Sequence, residues 1–352
     1  MMQKHILFGL VTLLCLGGCA KSADDIKNDF KRELLAGLTT TVIIPGYQRF
    51  IEAADKLQAD IQHYCENPTG DLAPLQDSWR AGMTAWQETA AYTFGPVTRH
   101  DLPALIDYQA IKKNKIQYWL EPGRMASAEA IRTYSVQGKG LTVLEYLLFE
   151  PGIRRSGAEY CAYLGALTAD IQANARRIVQ LWMSESADYT SVPANAAVDM
   201  QHLDEFLNAV LQQLELVKDE KLGIPLGKKN NGVMQFAKAE SLRSGHSLHN
   251  VRANMVSLQD IFTGGRAPGG TGLQSCLQTM GNLKTAADME HSLQRLMQEL
   301  AQLPADFPTA LSEQPARVET VYSMVSMLTR TVETEVLPAF DVQPGFNARD
   351  GD

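Results

Sequence analysis

From Ile26 onward the chain repeats apolar residues at intervals of three and four and has few runs of alternating β-branched residues, so helix is predicted almost throughout. Ile26, Phe30, Leu34, Leu35 and Leu38 form one stripe. The pattern meets Pro45-Gly46 and resumes at Tyr47, Phe50, Ile51, Ala54, Leu57 and Ile61. A proline inside such a pattern predicts two helices or one bent one. Leu75, Trp79, Met83 and Trp86 share a face of a helix over 72–92, and at that spacing they read as core. Phe94-Gly95-Pro96 stops it. Further helices are expected over 101–119, 127–135, 141–149, 159–183, 200–218, 237–262, 273–281, 288–303 and 315–337.

The fold class is therefore all-α. A short polar stretch, 184–198, reads as the linker between two helical-bundle subdomains, 26–185 and 199–340, packed together and followed by a tail, 341–352. Gly140-Leu141 and Gly272-Leu273 each open an apolar helix after a glycine-containing loop. Two bundles related by a pseudo-twofold would produce that echo. The glycine-rich run 264–272 lacks the Gly-Lys-Ser/Thr ending of a phosphate-binding loop and reads as a flexible surface loop.

The N-terminus has a different pattern. Lys4 precedes an apolar run from Ile6 to Leu16, then Leu16-Gly17-Gly18-Cys19 and at once polar residues. The run is about half the roughly 20 residues a membrane span needs, which makes 1–18 a cleavable signal peptide. The sequence before the cut resembles the lipobox of bacterial lipoproteins, with Cys19 as the acylated first residue and 19–25 as a short lead. The alternative is a soluble periplasmic protein whose signal happens to contain Cys19. Acyl chains would hold the protein durably on a membrane. Ala20 and Lys21 stand where an inner-membrane retention signal would want Asp, which favours the periplasmic side of the outer membrane.

Export to an oxidising compartment lets cysteines pair. With Cys15 removed and Cys19 acylated, Cys65, Cys161 and Cys276 remain. One disulfide plus one free thiol is the simplest arithmetic. Cys65 and Cys161 each lie beside Tyr and polar residues at a helix end, whereas Cys276 lies in the apolar stretch 273–280, so Cys65 is paired with Cys161; three free buried thiols is the alternative. The formal charge of -8 and the lack of a basic cluster with interleaved aromatics exclude nucleic acid as the natural partner.

The most informative segment is Gly138 to Glu150, a helix apolar almost all round with Glu145 in its middle. A carboxylate among Leu144, Leu147 and Leu148 must find a partner or shift its pKa. Thr142, three residues earlier, shares its face. A second polar set follows at Glu240 to Ser247. Glu240 and Ser244 are four apart, as are Arg243 and Ser247, so two polar stripes on one helix are expected. Arg243 is the natural counter-ion for Glu145, its planar fork suited to bidentate contact. His246 and His249, three apart, could share a metal or simply form a helix-surface pair.

Gly140, Thr142 and Glu145 resemble the Gly-x-His-x-x-Glu motif that opens an apolar helix in the imelysin-like family, with Thr142 where the family has histidine. The resemblance extends in order along the chain through Trp79 and Trp86, Phe94-Gly95-Pro96, Tyr118-Trp119-Leu120-Glu121-Pro122, Leu144 to Leu148, and Glu240 to Leu248 with Asn254. It implies two bundle-like subdomains with a site between them near this motif, an envelope setting and, for several members, a link to iron acquisition. Envelope iron-transport proteins would then be partners. The founding member was described as a metallopeptidase, but this chain has no His-Glu-x-x-His, and hydrolytic zinc needs three protein ligands.

A threonine hydroxyl is a far poorer metal ligand than imidazole. Ferric iron, or a divalent metal, would depend on carboxylates, Glu145 first, with Glu88 and Glu240. Alternatively Thr142, Glu145, Glu240, Arg243, Ser244 and Glu88 contact a small organic ligand, or Glu145, Arg243 and Ser244 form a buried network that fixes the subdomain interface. The leading expectation is a non-enzymatic binding lipoprotein for iron or an iron-bearing ligand. A helical interaction scaffold at the membrane and a divergent metallopeptidase are the rivals.

Overall fold

Helices are the regular elements of the chain; among the described residues there is no strand. The computed structural model describes residues 23–66, 71–153, 155–190, 201–267 and 269–345. The expected signal peptide and Cys19 lie outside the described residues, as do 191–198 of the expected linker and 346–352 of the tail. In chain order the helices are α1 (Ala23–Leu38), α2 (Ile44–Glu66), α3 (Ala73–Gln87), α4 (Pro96–Arg99), α5 (Leu102–Ile106), α6 (Lys113–Leu120), α7 (Ala128–Arg132) and α8 (Leu141–Phe149). They continue as α9 (Ala158–Thr190), α10 (Gln201–Glu215), α11 (Ser247–Thr263), α12 (Leu273–Thr279), α13 (Leu283–Ala301), α14 (Phe307–Glu313), α15 (Pro315–Thr331) and α16 (Leu337–Ala339). No described helix is long and apolar enough to cross a membrane.

Of the two outcomes expected at Pro45, the structure shows a helical run that continues past it. Thr39–Ile43 between α1 and α2 is a π-helical turn, closed by the Ile44 N–H bonding back five residues to the Thr39 carbonyl. The same device recurs at Leu216–Gly223, where Ile224 N–H reaches Asp219 O, and at Val332–Val336, where Leu337 N–H reaches Val332 O. In all three the next residue is proline: Pro45, Pro225 and Pro338. A proline has no N–H to give and drives its ring into the carbonyl four residues back. A turn widened by one residue draws that carbonyl aside, so the helical run survives. Gly46, read as half of a breaker, serves close approach instead: a Cβ there would lie 1.8 Å from the Tyr92 hydroxyl oxygen.

Other expected helices also have different bounds. The 101–119 segment is split by the loop 107–112 into α5 and α6. The 237–262 segment becomes helical only at Ser247, because Ser241 and Gly245 take left-handed backbone at φ 49° and 64° and turn the chain. α9 runs past 183 into the expected linker. The glycine-rich loop is held rather than loose: the Gly264 carbonyl accepts from Thr41 Oγ1 at 2.9 Å, and Arg266 bonds Glu88 and Asp260.

α2 lies between α3 and α9, α11 packs on both α3 and α13, and α13 packs on α15. One buried apolar cluster runs from Leu34 to Val342. α8 is buried from Leu141 to Leu148, which explains its lack of a polar face. Just before it, Lys139 and Asp170 form an ion pair at 3.1 Å with both side chains almost wholly out of solvent. Lys139 Nζ also donates to the Arg132 carbonyl at 3.1 Å, and Asn174 donates to Asp170.

Cys65, at the end of α2, is disulfide-bonded to Cys161, in the first turn of α9, and Cys276 is a buried free thiol. The bond closes a loop of sequence separation 96. Removing it with Cys65→Ser and Cys161→Ser is expected to lower unfolding free energy by about 2–5 kcal/mol. Urea titration of oxidised native protein and the double variant measures this; coincident curves would show that the bond does not restrain the unfolded chain.

Candidate functional site

Gly140 sets the geometry. Its φ of 88° is left-handed, and a Cβ would sit 2.5 Å from the Ile106 carbonyl oxygen. Only glycine lets the start of α8 press against the end of α5. That contact brings Asp107, the residue after α5, to Thr142 in the first turn of α8, where Thr142 Oγ1 donates to Asp107 Oδ1 at 2.6 Å. One turn on, Glu145 is 2% exposed.

Glu145 gains its partners from the turn before α11. Ser244 donates both its backbone N–H (3.0 Å) and its hydroxyl (2.9 Å) to Glu145 Oε1. Arg243 differs from expectation. It gives its Nε to Glu150 Oε2 at 2.7 Å and leaves Nη1 3.8 Å from Glu145, so there is no bidentate clasp on Glu145. Burial pushes the Glu145 carboxyl above its ordinary range, opposed by the Ser244 bonds and the Arg243 charge. Arg243 holds Glu150 below the usual carboxylate range.

Glu240 stands on the same turn. Lys221 Nζ lies 2.9 Å from its Oε2, and Asn250 Nδ2 donates to that oxygen at 2.8 Å. Lys221 also donates to Gln87 Oε1 at 2.7 Å, which in turn accepts from Asn254. The two polar stripes expected on one helix are thus a turn, and the spacing of four that suggested them is coincidental.

Thr142, Glu145, Glu240 and Arg243 line one cavity of about 790 Å³, together with Glu150, Lys221 and apolar residues such as Leu216 and Ile224. A second cavity of about 220 Å³ adjoins it, sharing Gln109, Leu216, Lys221 and Glu240 and adding Asp107, Trp86 and Gln213. Ser244 stands behind the wall through Glu145. Glu88 does not join the set. It forms a separate cluster with Arg266 (2.6 Å) and Arg49, which also hold Asp260.

His246 and His249 do not line the cavities either. Their rings stack at 4.8 Å, and His246 Nε2 is 2.9 Å from Thr84 Oγ1. Burial, with the neighbouring His249 and Arg80, pushes His246 down to about 3. Among the described residues no group of three His, Cys, Asp or Glu side chains is placed to hold a metal ion. The chemistry agrees: Thr142 spends its proton on Asp107, Glu240 is bonded to Lys221, and Glu145 is bonded to Ser244. These residues do not fit a bare metal ion.

Sequence reasoning missed Asp107, Lys221 and Gln87. Asp107 sits between two short helices, 35 residues from its hydroxyl partner, with no periodicity to single it out. Lys221 lies in a π-helical turn, which has no recognised spacing.

Burial and then the Glu240 charge push the Asp107 carboxyl from 3.8 up to about 7. Between those values the folded chain keeps a proton that the unfolded chain has lost. The stability this group contributes is therefore complete below the lower value and is lost as pH rises through the upper one. Asp107→Asn does not titrate, so the melting temperature of the native protein should fall relative to the variant as pH rises from 3.8 to about 7 and level off above that. Parallel melting curves across that range would contradict the placement of Asp107.

The family profile described as imelysin, a peptidase family by name, matches residues 43–332. A search of curated protein sequences finds no significant match. Among solved structures, an imelysin-like protein from Psychrobacter arcticum 273-4 superposes with a TM-score of 0.76 at 20% identity, covering 93% of this chain and 99% of that one. A protein from Parabacteroides distasonis ATCC 8503, provisionally named an iron-regulated protein A precursor, superposes with a TM-score of 0.72 at 17% identity, covering 92% and 97%. These likenesses establish the fold, and the profile spans most of the helices just described. The chain belongs to the imelysin family.

Proposed function

We propose that the protein is a non-enzymatic binding protein of the cell envelope, tethered through Cys19 to the periplasmic side of the outer membrane, whose cargo is an iron-bearing organic ligand. The observation that carries this reading is the cavity shared by Thr142, Glu145, Glu240 and Arg243. Its volume suits an organic ligand, typically about 300–1,000 Å³, rather than a single ion. Its carboxylates already have protein partners, so iron would arrive inside a chelate. The name of the Parabacteroides neighbour supports iron as the cargo. Envelope iron-transport proteins are the partners to which such a cargo would pass. Zinc peptidase chemistry needs three protein ligands and an activated water, a set the described residues do not present.

One observation favours the scaffold reading beside it. Val233, Met234 and Phe236 are exposed, next to Ala237–Ala239 in the cavity wall. An apolar strip at the rim offers a place for a partner protein.

Calorimetric titration of the mature protein separates chelate from ion. A ferric tris-hydroxamate chelate is expected to bind, ferrous ion alone is not, and Glu145→Gln or Glu240→Gln should weaken the chelate by about tenfold or more. Saturable binding of the bare ion, or chelate affinity unchanged in both variants, would overturn the proposal. Thr142→His is the complementary test. It sets an imidazole against Asp107 and one turn from Glu145, and zinc affinity should rise by about tenfold or more. Unchanged zinc affinity would show that the hydroxyl at this position is not what keeps metal out.

A further inference from the structure

The charges around the two adjoining cavities are unevenly matched. Glu145 and Glu150 face Arg243, and Glu240 faces Lys221. Asp107 has only neutral donors in its hydrogen bonds, Thr142 Oγ1 on Oδ1 at 2.6 Å and Gln109 Nε2 on Oδ2 at 3.1 Å. It lines the smaller cavity, where Trp86 supplies an aromatic wall. In the same wall Gln213 Nε2 is buried and has no acceptor. A buried donor without an acceptor, and a carboxylate whose hydrogen bonds come only from neutral donors while nearby Lys221 is paired with Glu240, are each costly unless something completes them.

We propose that the smaller cavity receives a protonated nitrogen of the ligand, an alkylammonium group seated on the Asp107 carboxylate beside Trp86, with a neighbouring ligand oxygen accepting from Gln213. This rests on the reading of the joined cavities as a ligand site and names the chemical class that site selects. An ammonium supplies the three donors that a carboxylate and an adjacent amide oxygen can accept. An indole ring is the aromatic surface next to which a cation is held best. Glu145, Glu150 and Glu240 cannot take this role without breaking an existing ion pair. A metal ion does not replace it, since no third ligand stands with Asp107 among the described residues. At about 220 Å³ the cavity admits a head group and not the whole of a drug-sized molecule, so the remainder of the ligand extends past Gln109, Lys221 and Glu240 into the larger space.

The test uses the full mature chain with methyl-labelled Ile and Leu, reading Leu216, Ile224 and Leu242 by NMR during titration with n-butylammonium, 1-butanol and butyrate at matched concentrations. Butylammonium should shift the Leu216 methyls, which border both cavities, and bind at least about tenfold more tightly than either isostere. Asp107→Asn should remove that preference. Should that variant fold poorly, Gln213→Leu serves as the second, expected to weaken an amino alcohol probe while leaving butylammonium unchanged. Equal or tighter binding of butanol or butyrate, a preference that persists in Asp107→Asn, or no shift with any probe overturns the inference. Chelate titration separates the two readings: Glu145-dependent chelate binding with no ammonium preference removes only the ammonium seat, whereas loss of both removes the cavity as a ligand site.

Discussion

A single buried carboxylate organises this site. Glu145 sits in the middle of a helix whose other faces are packed in apolar core, and its charge can be tolerated only if donors reach it there. Ser244 supplies two, one from the backbone, and in doing so fastens the turn before α11 onto α8. The turn carries Glu240 and Arg243 with it. What lies between the fastened turn and α8 is the cavity, so its walls depend on one carboxylate's need to be satisfied. Removing that carboxylate would leave the buried Ser244 N–H without its acceptor, at a cost of about 1–3 kcal/mol, while the hydroxyl retains the Ser241 carbonyl at 2.9 Å.

The rest of the fold delivers elements to this junction. Gly140 allows α8 to start against α5 and so presents Thr142 to Asp107. The π-helical turn at Leu216–Gly223 ends just before Pro225 and carries Lys221, which bonds Glu240. The widened turn therefore serves two ends: it relieves the clash the proline would cause, and it carries the lysine that pairs with Glu240. The separate cluster of Glu88, Arg49, Asp260 and Arg266 ties the glycine-rich loop to α2, α3 and α11, away from the cavities.

Much of this was legible in the sequence, and the exceptions share a cause. The all-α class follows from spacing alone, because a period near 3.6 recurs in nearly every segment. Glu145 stood out because a charge inside an apolar helix is costly wherever the helix goes. Cys65 and Cys161 could be matched by the polarity of their surroundings, with Cys276 set apart by its apolar neighbours. Pro45 left two outcomes open because a π-helical turn, which lets a helical run pass a proline, leaves no periodic mark. Glu240 to Ser247 misled because polar residues four apart look the same on a helix and in a turn made by left-handed Ser241 and Gly245. Glu88 was included and Asp107 missed because nothing local tells an acid that meets Arg266 from one that meets Thr142, since both partners are distant in sequence. Long-range polar contacts are the part of this structure that local pattern does not encode.

The Ser244 amide reports most directly on whether Glu145 holds the site together. Its N–H is buried and bonded only through that carboxylate, so amide hydrogen exchange followed by NMR should find it strongly protected in the native protein and exchanging faster by about tenfold or more in Glu145→Ala, with core amides of α2 and α9 unchanged. An unprotected Ser244 amide in the native protein, or protection that survives in Glu145→Ala, would contradict the account.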